Sequence, residues 1–346
     1  MYSIDKSNFK SMLINFDKQI QESSKIIKKS SLNFEPSKIT NILYLGMGGS
    51  AIAGNLLYDT LFDHLKVPLD VVRGYLAPAY CSKQSLVIVS SYSGNTEETL
   101  SAADKAITGK AQVLAVTSGG KLKEMAEVNQ WSLILIPDGF PPRQALGYIY
   151  FTLYHTLGKA GLFDDYQSNL SAFVHFIQKL TVRCDQQRSD CNILSRELAK
   201  TLHGKIPLIY SSAPYLQTIA RRWQNQFHEN SKCMAFANVL PEMNHNEIVG
   251  FEQDSTALSH FIAIFLRDKE AHPRIDKRIE LTQKIIKKHG IEIVDIYTEG
   301  HTLLEKVFSL ILKGDWVSYY LALSHKKDPV KIKNIDFLKS ELAKIQ

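Results

Sequence analysis

Five short runs in the first half of the chain restrict its fold more than any other feature. Asn41 to Leu45, Leu69 to Val72, Leu86 to Val89, Gln112 to Val116 and Leu133 to Ile136 are apolar on successive residues and bounded by Gly, Ser or Pro. A strand with one wet face alternates, whereas a strand apolar at nearly every position is covered on both faces, as in a parallel sheet with crossover helices. Helices are expected between the runs at 50–62, 96–108, 120–128 and 143–159. The pattern predicts a five-stranded, doubly wound α/β unit.

The same alternation returns later. Strands are expected near Pro207 to Tyr210, Cys233 to Phe236, Leu258 to Leu266 and Ile291 to Ile296, with helices near 188–202, 213–228, 273–289 and 301–324. A chain of 346 residues is long for one domain. The expected organisation is an N-terminal domain over 1–160, a polar linker with a bridging helix over 161–190, and a C-terminal domain over 191–346. The first domain is led by an amphipathic helix within 5–29, carrying Phe9, Met12, Leu13, Phe16 and Ile20 as one stripe. The last ends in a tail that starts at Asp328 and is helix-like from Ile335 to Ile345.

Composition removes several classes of protein. A hydrophobic fraction of 45% with 22% charged residues is the balance of a globular protein, not of a disordered or collagen-like one. The net charge, 41 − 35 = +6, favours anionic ligands. Its basic residues are not interleaved with aromatics as a nucleic-acid surface requires; Lys25 to Lys29 and Lys326 to Lys333 read as solvated faces. No apolar stretch approaches the roughly 20 residues that cross a bilayer, and Met1 to Lys10 lacks the apolar run of a secretory signal. The four cysteines form no CxxC pair and read as reduced thiols of a cytoplasmic protein, with only Cys184 and Cys191 close enough to raise a disulfide question.

Two loops carry ligand chemistry. Gly46-Met47-Gly48-Gly49-Ser50-Ala51 follows an expected strand and opens a helix, where glycine admits an anion to unpaired N–H groups. The letters also fit a dinucleotide fingerprint, and an NAD(P) oxidoreductase is therefore one alternative. Against it, the next strand ends in Arg73-Gly74-Tyr75, with no acidic partner for a ribose. In the second loop, Ser91-Tyr92-Ser93-Gly94-Asn95-Thr96 brings three hydroxyls to one helix N-terminus. Capping explains one hydroxyl; three make a neutral cradle for a phosphate dianion.

These loops resemble those of sugar isomerase (SIS) domains, in which S-x-S-G-x-T holds the phosphate of a phosphosugar. Further motifs resemble the bifunctional phosphoglucose/phosphomannose isomerase family: His228-Glu229-Asn230-Ser231-Lys232, Asn244-His245-Asn246-Glu247-Ile248-Val249-Gly250, Pro142-Arg143-Gln144-Ala145-Leu146-Gly147-Tyr148 and Gly314-Asp315-Trp316-Val317-Ser318. The resemblance implies two SIS-type, flavodoxin-like domains in a homodimer with a shared active site. It implies interconversion of glucose 6-phosphate and mannose 6-phosphate with fructose 6-phosphate through a cis-enediol, with no metal and no cofactor. Glu229 would move the proton between C1 and C2, and His245, supplied by the neighbouring subunit, would open the ring. Arg143 would stabilise the enediolate, Lys339 in the tail would approach the ring oxygen, and Gly49, Ser50, Ser91, Ser93 and Thr96 would hold the substrate. The chain departs from the family at His228, where Asn is common, and at Val330, where relatives often carry Thr.

The chemistry is consistent with the residue types. Isomerisation needs one carboxylate to take a proton α to a carbonyl and return it to the next carbon. It also needs a cation over the developing oxyanion, which a guanidinium supplies, and a group for ring opening that titrates near neutrality, which points to histidine. A sugar-phosphate regulator would use the same phosphate loop without a working base. A metal site of His228, Glu229, His245 and Glu247 is disfavoured because these pairs lack i, i+4 spacing.

Overall fold

The apolar runs of the first half become β1 (Asn41–Gly46), β2 (Leu69–Val72), β3 (Ser85–Ser90), β4 (Gln112–Thr117) and β5 (Ser132–Leu135). In this computed structural model, which describes residues 4–30, 32–164, 170–252 and 256–345, all five are parallel in the order β2-β1-β3-β4-β5. The helices between them are α3 (Gly48–Thr60), α4 (Glu97–Thr108), α5 (Gly120–Val128) and α6 (Leu146–Lys159). Leu43 and Leu45 of β1 and Val87 and Val89 of β3 pack with Leu122 and with Ala102, Ala103, Ala106 and Ala126, small residues that let α4 and α5 lie close to the sheet.

The later alternation becomes β6 (Ile206–Ser212), β7 (Phe236–Leu240), β8 (Phe261–Arg267) and β9 (Glu292–Tyr297), parallel in the order β7-β6-β8-β9. Its helices are α8 (Asp190–Thr201), α9 (Gln217–Gln226), α10 (Pro273–Lys287) and α11 (Leu303–Ser324). A capping box between Thr302 and Glu305 starts α11, which is buried nearly throughout from Leu304 to Leu323. Both sheets are therefore parallel and helix-covered, as the doubly wound reading expects. The second of these later strands begins further along than its sequence suggests, at Phe236 rather than Cys233, because Phe227 to Ser231 prolongs α9 as a turn of π-helix.

The chain divides into two compact units, residues 15–178 and residues 1–14 with 179–346. The leading helix is accordingly two helices, α1 (Phe9–Ile14) and α2 (Phe16–Lys29), interrupted at Asn15. The single apolar stripe seen in the sequence is shared out between the units: Phe9 stacks on Tyr319 with ring centroids 6.2 Å apart, whereas Gln19 of α2 donates to the Gln144 carbonyl at 2.7 Å. The bridging helix is α7 (Leu170–Asp185), and Asp165, Gln167 and Ser168 of the polar linker lie outside the described residues.

The reduced-thiol expectation is corrected for two of the four cysteines. Cys184 at the end of α7 and Cys191 in the first turn of α8 form a disulfide, with Cα atoms 4.7 Å apart, while Cys81 and Cys233 are free. Arg183 pairs with Asp190, and Asn192 donates to the Cys184 carbonyl at 2.8 Å, so the short loop between the helices is folded back and brings the two sulfurs together. Among the described residues, no helix is long and apolar enough to cross a membrane.

Candidate active site

In the first sheet the strand order reverses between β1 and β3, and open parallel sheets bind ligands at the carboxyl ends beside such a switch. Both ligand-type loops leave these two strands. The Ser50 hydroxyl accepts from the Tyr92 amide at 3.3 Å, joining the loops. Ser91 and Thr96 place their hydroxyl oxygens 2.9 Å apart, and Ser93 accepts from the Asn95 amide at 3.3 Å. Thr96 occupies the N-cap position of α4, yet its side chain makes no capping bond to the helix. Gly94 has φ +69°, and a Cβ there would meet the Gly119 carbonyl oxygen at 1.8 Å, so only glycine closes this loop.

Arg143 reaches the same end of the first unit. It is 3% exposed and lies on a 3-10 turn, Pro142–Gln144, ahead of α6 rather than in the helix itself. A Cβ on Gly49 would stand 3.0 Å from both the amide nitrogen and the Cα of Arg143, so the glycine loop and this turn are in contact. Tyr92 braces the approach: its hydroxyl donates to the Pro137 carbonyl at 2.9 Å and accepts from the Phe140 amide at 2.9 Å. Burial pushes this phenol up from its ordinary pKa despite the Phe140 bond, which keeps it protonated and able to donate. Gly49, Ser50, Ser91, Ser93, Thr96 and Arg143 thus gather around one loop cluster.

Glu229 lies in the second unit, on the π-turn that ends α9. Such turns are uncommon and recur at functional sites. Their carbonyls need partners, and here the supply is explicit. Lys232, in the left-handed region with φ 54°, sends its ammonium to the carbonyls of Glu229 at 2.8 Å, Asn230 at 3.2 Å and Asp328 at 2.7 Å. Asn230 donates to the Ser318 hydroxyl at 2.9 Å, and the Ser231 hydroxyl donates to the Ser318 carbonyl at 2.7 Å. One turn earlier on α11, Asp315 receives Arg222 at 2.7 Å and Gln226 at 2.6 Å, all buried. Gly314 lets Trp223 of α9 lie against α11, since a Cβ there would be 2.3 Å from the indole nitrogen. The Gly314 to Ser318 segment, recognisable in the sequence only as a resemblance, is the seat of the Glu229 turn.

Glu229 and His228 border a cleft of about 830 Å³. Six lysines line it (Lys6, Lys232, Lys326, Lys327, Lys331 and Lys333) against the carboxylates of Glu229 and Asp328. Lys326 to Lys333, expected as a merely solvated face, therefore walls this cleft together with the start of α12 (Lys333–Leu342). Lys339 is exposed on α12 and is not among the lining residues. His228 turns inward, its Nε2 lying 3.0 Å from the Ala235 carbonyl oxygen and 3.2 Å from the Ala235 amide.

His245 ends a 3-10 turn, Glu242–His245, and is exposed while its neighbours are tied down. Asn244 donates to Thr282 at 2.8 Å, Asn246 to Glu242 at 2.7 Å, and Glu247 accepts from Tyr210 at 2.6 Å and Asn238 at 2.6 Å. His245 does not line the cleft beside Glu229. With His228 on Ala235 and Glu247 on Tyr210, the four residues weighed as a metal site do not converge. Among the described residues no group of three or more His, Cys, Asp or Glu is placed to hold a metal.

Residues 192–342 match the family described as bacterial phospho-glucose isomerase C-terminal SIS domain. A bifunctional phosphoglucose/phosphomannose isomerase of Caldicellulosiruptor bescii is 42% identical over 332 residues, covering 96% of this chain and 98% of that protein. This chain belongs to the bifunctional phosphoglucose/phosphomannose isomerase family. A second member of the family, from Aquifex aeolicus, is 34% identical over 88% of this chain and 90% of its own length. The fold is shared with the crystal structure of a hypothetical protein from Thermus thermophilus, with TM-score 0.77 and 13% identity over 97% of this chain and 90% of that one.

The residues of these loops and turns divide into those displayed at the loop cluster or the cleft and those that hold the turns in place. Tyr92 and Asp315 belong to the second kind and were not legible as such, and Lys232 both holds its turn and lines the cleft. Lys232 carried a signal, since a lysine just past a helix end complements the carbonyl dipoles. Tyr92 and Asp315 carried none, because their partners are distant in sequence.

Proposed function

We propose that this chain interconverts glucose 6-phosphate and mannose 6-phosphate with fructose 6-phosphate by proton transfer through a cis-enediol. Glu229 takes the proton from one carbon and returns it to its neighbour, and rotation of the enediol about C2–C3 before the return gives both aldoses from one intermediate. Ser50, Ser91, Ser93 and Thr96, with the backbone at Gly49, bind the phosphate. The Arg143 guanidinium offsets the enediolate charge, and Lys339 serves the ring oxygen from the tail. His245, displayed outward, opens the ring in a neighbouring subunit of a homodimer. The enzyme works in the cytoplasm, on small hexose phosphates, without nucleic acid or membrane.

The observation that carries this reading is Glu229, a carboxylate on a specially braced turn bordering a cleft walled by six lysines. An acid-base group set among cations suits a substrate that is anionic throughout and gains charge in the transition state. Coupled assays with each aldose phosphate, in the presence of chelator, test it. Turnover of both is expected, and Glu229→Gln should retain phosphosugar binding while losing turnover. Binding without turnover in the native protein would instead mark a sugar-phosphate regulator.

A further inference from the structure

Ser231 is fully buried and its carbonyl leaves the π-turn toward the end of α11, where His325 Nδ1 lies 2.8 Å from the oxygen. A carbonyl only accepts, so Nδ1 carries the proton and the tautomer of His325 is set by this bond. The ring is held in turn. His203 packs against it with centroids 5.0 Å apart, and His203 Nδ1 is hydrogen-bonded to the hydroxyl of Ser324, the residue before His325, at 2.7 Å. His325 immediately precedes Lys326 and Lys327, which line the Glu229 cleft. Lys232, the residue that ends the turn, takes the carbonyls of Glu229 and Asn230, and His325 at the end of α11 takes that of Ser231.

We propose that His325 is a positioning residue for the isomerisation: it touches no substrate and acts by locking the turn that carries Glu229. The inference rests on Glu229 being the base. Small displacements of a catalytic group cost rate steeply, of the order of a hundredfold for about 1 Å. Binding of the phosphate, made by a different loop cluster, is not expected to change.

Three variants test this with steady-state kinetics, thermal unfolding and hydrogen exchange of residues 227–233. His325→Ala should lower kcat at least about tenfold with KM within twofold, and should speed exchange in that segment. His325→Asn, whose amide nitrogen falls where Nδ1 stood, should restore both, whereas His325→Gln, whose amide mimics Nε2, should not. Unchanged kcat and exchange in all three variants overturns the proposal. So does a loss that tracks only lower melting temperature, a loss expressed in KM, or equal failure of Asn and Gln. An inactive native protein would sink the isomerase reading, and exchange that is indifferent to His325→Ala would separately sink the clamp.

Discussion

Gly49 and Arg143 meet backbone to backbone: the space a methyl group would need on Gly49 is bounded by the amide nitrogen and Cα of Arg143, both at 3.0 Å. The contact couples the glycine loop to the turn that carries Arg143. Gly49→Ala should push the Pro142–Gln144 turn outward and lower kcat/KM about tenfold, because orientation of the guanidinium sets how well it meets developing charge. Unfolding midpoints should change little. Wild-type kinetics in this variant would show that the turn yields without moving Arg143.

The proposed sharing of His245 with a neighbouring subunit predicts complementation between Glu229 and His245 variants. Glu229→Gln and His245→Ala proteins should each be inactive, and an equilibrated mixture should recover about a quarter of native activity, since half of the dimers are mixed and each holds one intact site of two. No recovery would place both groups in one chain's own site.

Salt should test the lysine-lined cleft. Six lysines line the cleft beside Glu229 and would attract the proposed dianionic substrate, and screening shortens their reach to about 8 Å at physiological ionic strength. The expected result is that kcat/KM falls with added salt and that replacing Lys331 and Lys333 together by Gln flattens the slope. A salt-independent kcat/KM would remove the steering role.

Asp315 predicts a structural penalty. Its carboxylate pairs with Arg222 in a site where the two side chains are 2% and 3% exposed, and it also accepts from Gln226. Removing one partner of a buried ion pair costs about 3–5 kcal/mol. Asp315→Ala should lose stability of this order in urea unfolding, and any protein that remains folded should have a weakened seat for the Glu229 turn.

Acid should weaken the first unit through His155. Burial, reinforced by Lys159, lowers its pKa from 6.5 to about 4. The folded state thus resists a proton that the unfolded chain binds. Stability from the neutral ring is complete above about pH 6.5 and is lost as the pH falls toward about 4, by a total of about 3 kcal/mol. Urea midpoints of native protein and His155→Gln, compared from pH 7 to 4, should differ in slope across that window. Parallel curves would contradict it.

Local composition carried much of the architecture. Runs apolar at every position announce strands covered on both faces, and β1 to β5 appear where those runs stand. Gly94 and its hydroxyl neighbours were equally readable, because a positive φ and a helix start leave their residue types in the chain. The stripe from Phe9 to Ile20 was readable as apolar but not as divided at Asn15, since periodicity records which side is buried and not against what. Cys184 and Cys191 gave only a spacing; the turn fastened by Arg183 and Asp190 decided that they pair.

Sequence alone determined the parallel α/β units and the hydroxyl loop, because each is a property of neighbours along the backbone. Tertiary structure alone decided that Glu229 stands on a π-turn, that Ser318 and His325 hold it, and that a run of lysines walls its cleft. The Ser318 and His325 contacts join residues roughly ninety positions apart, and only burial of α11 between its neighbouring helices brings their polar groups within bonding distance.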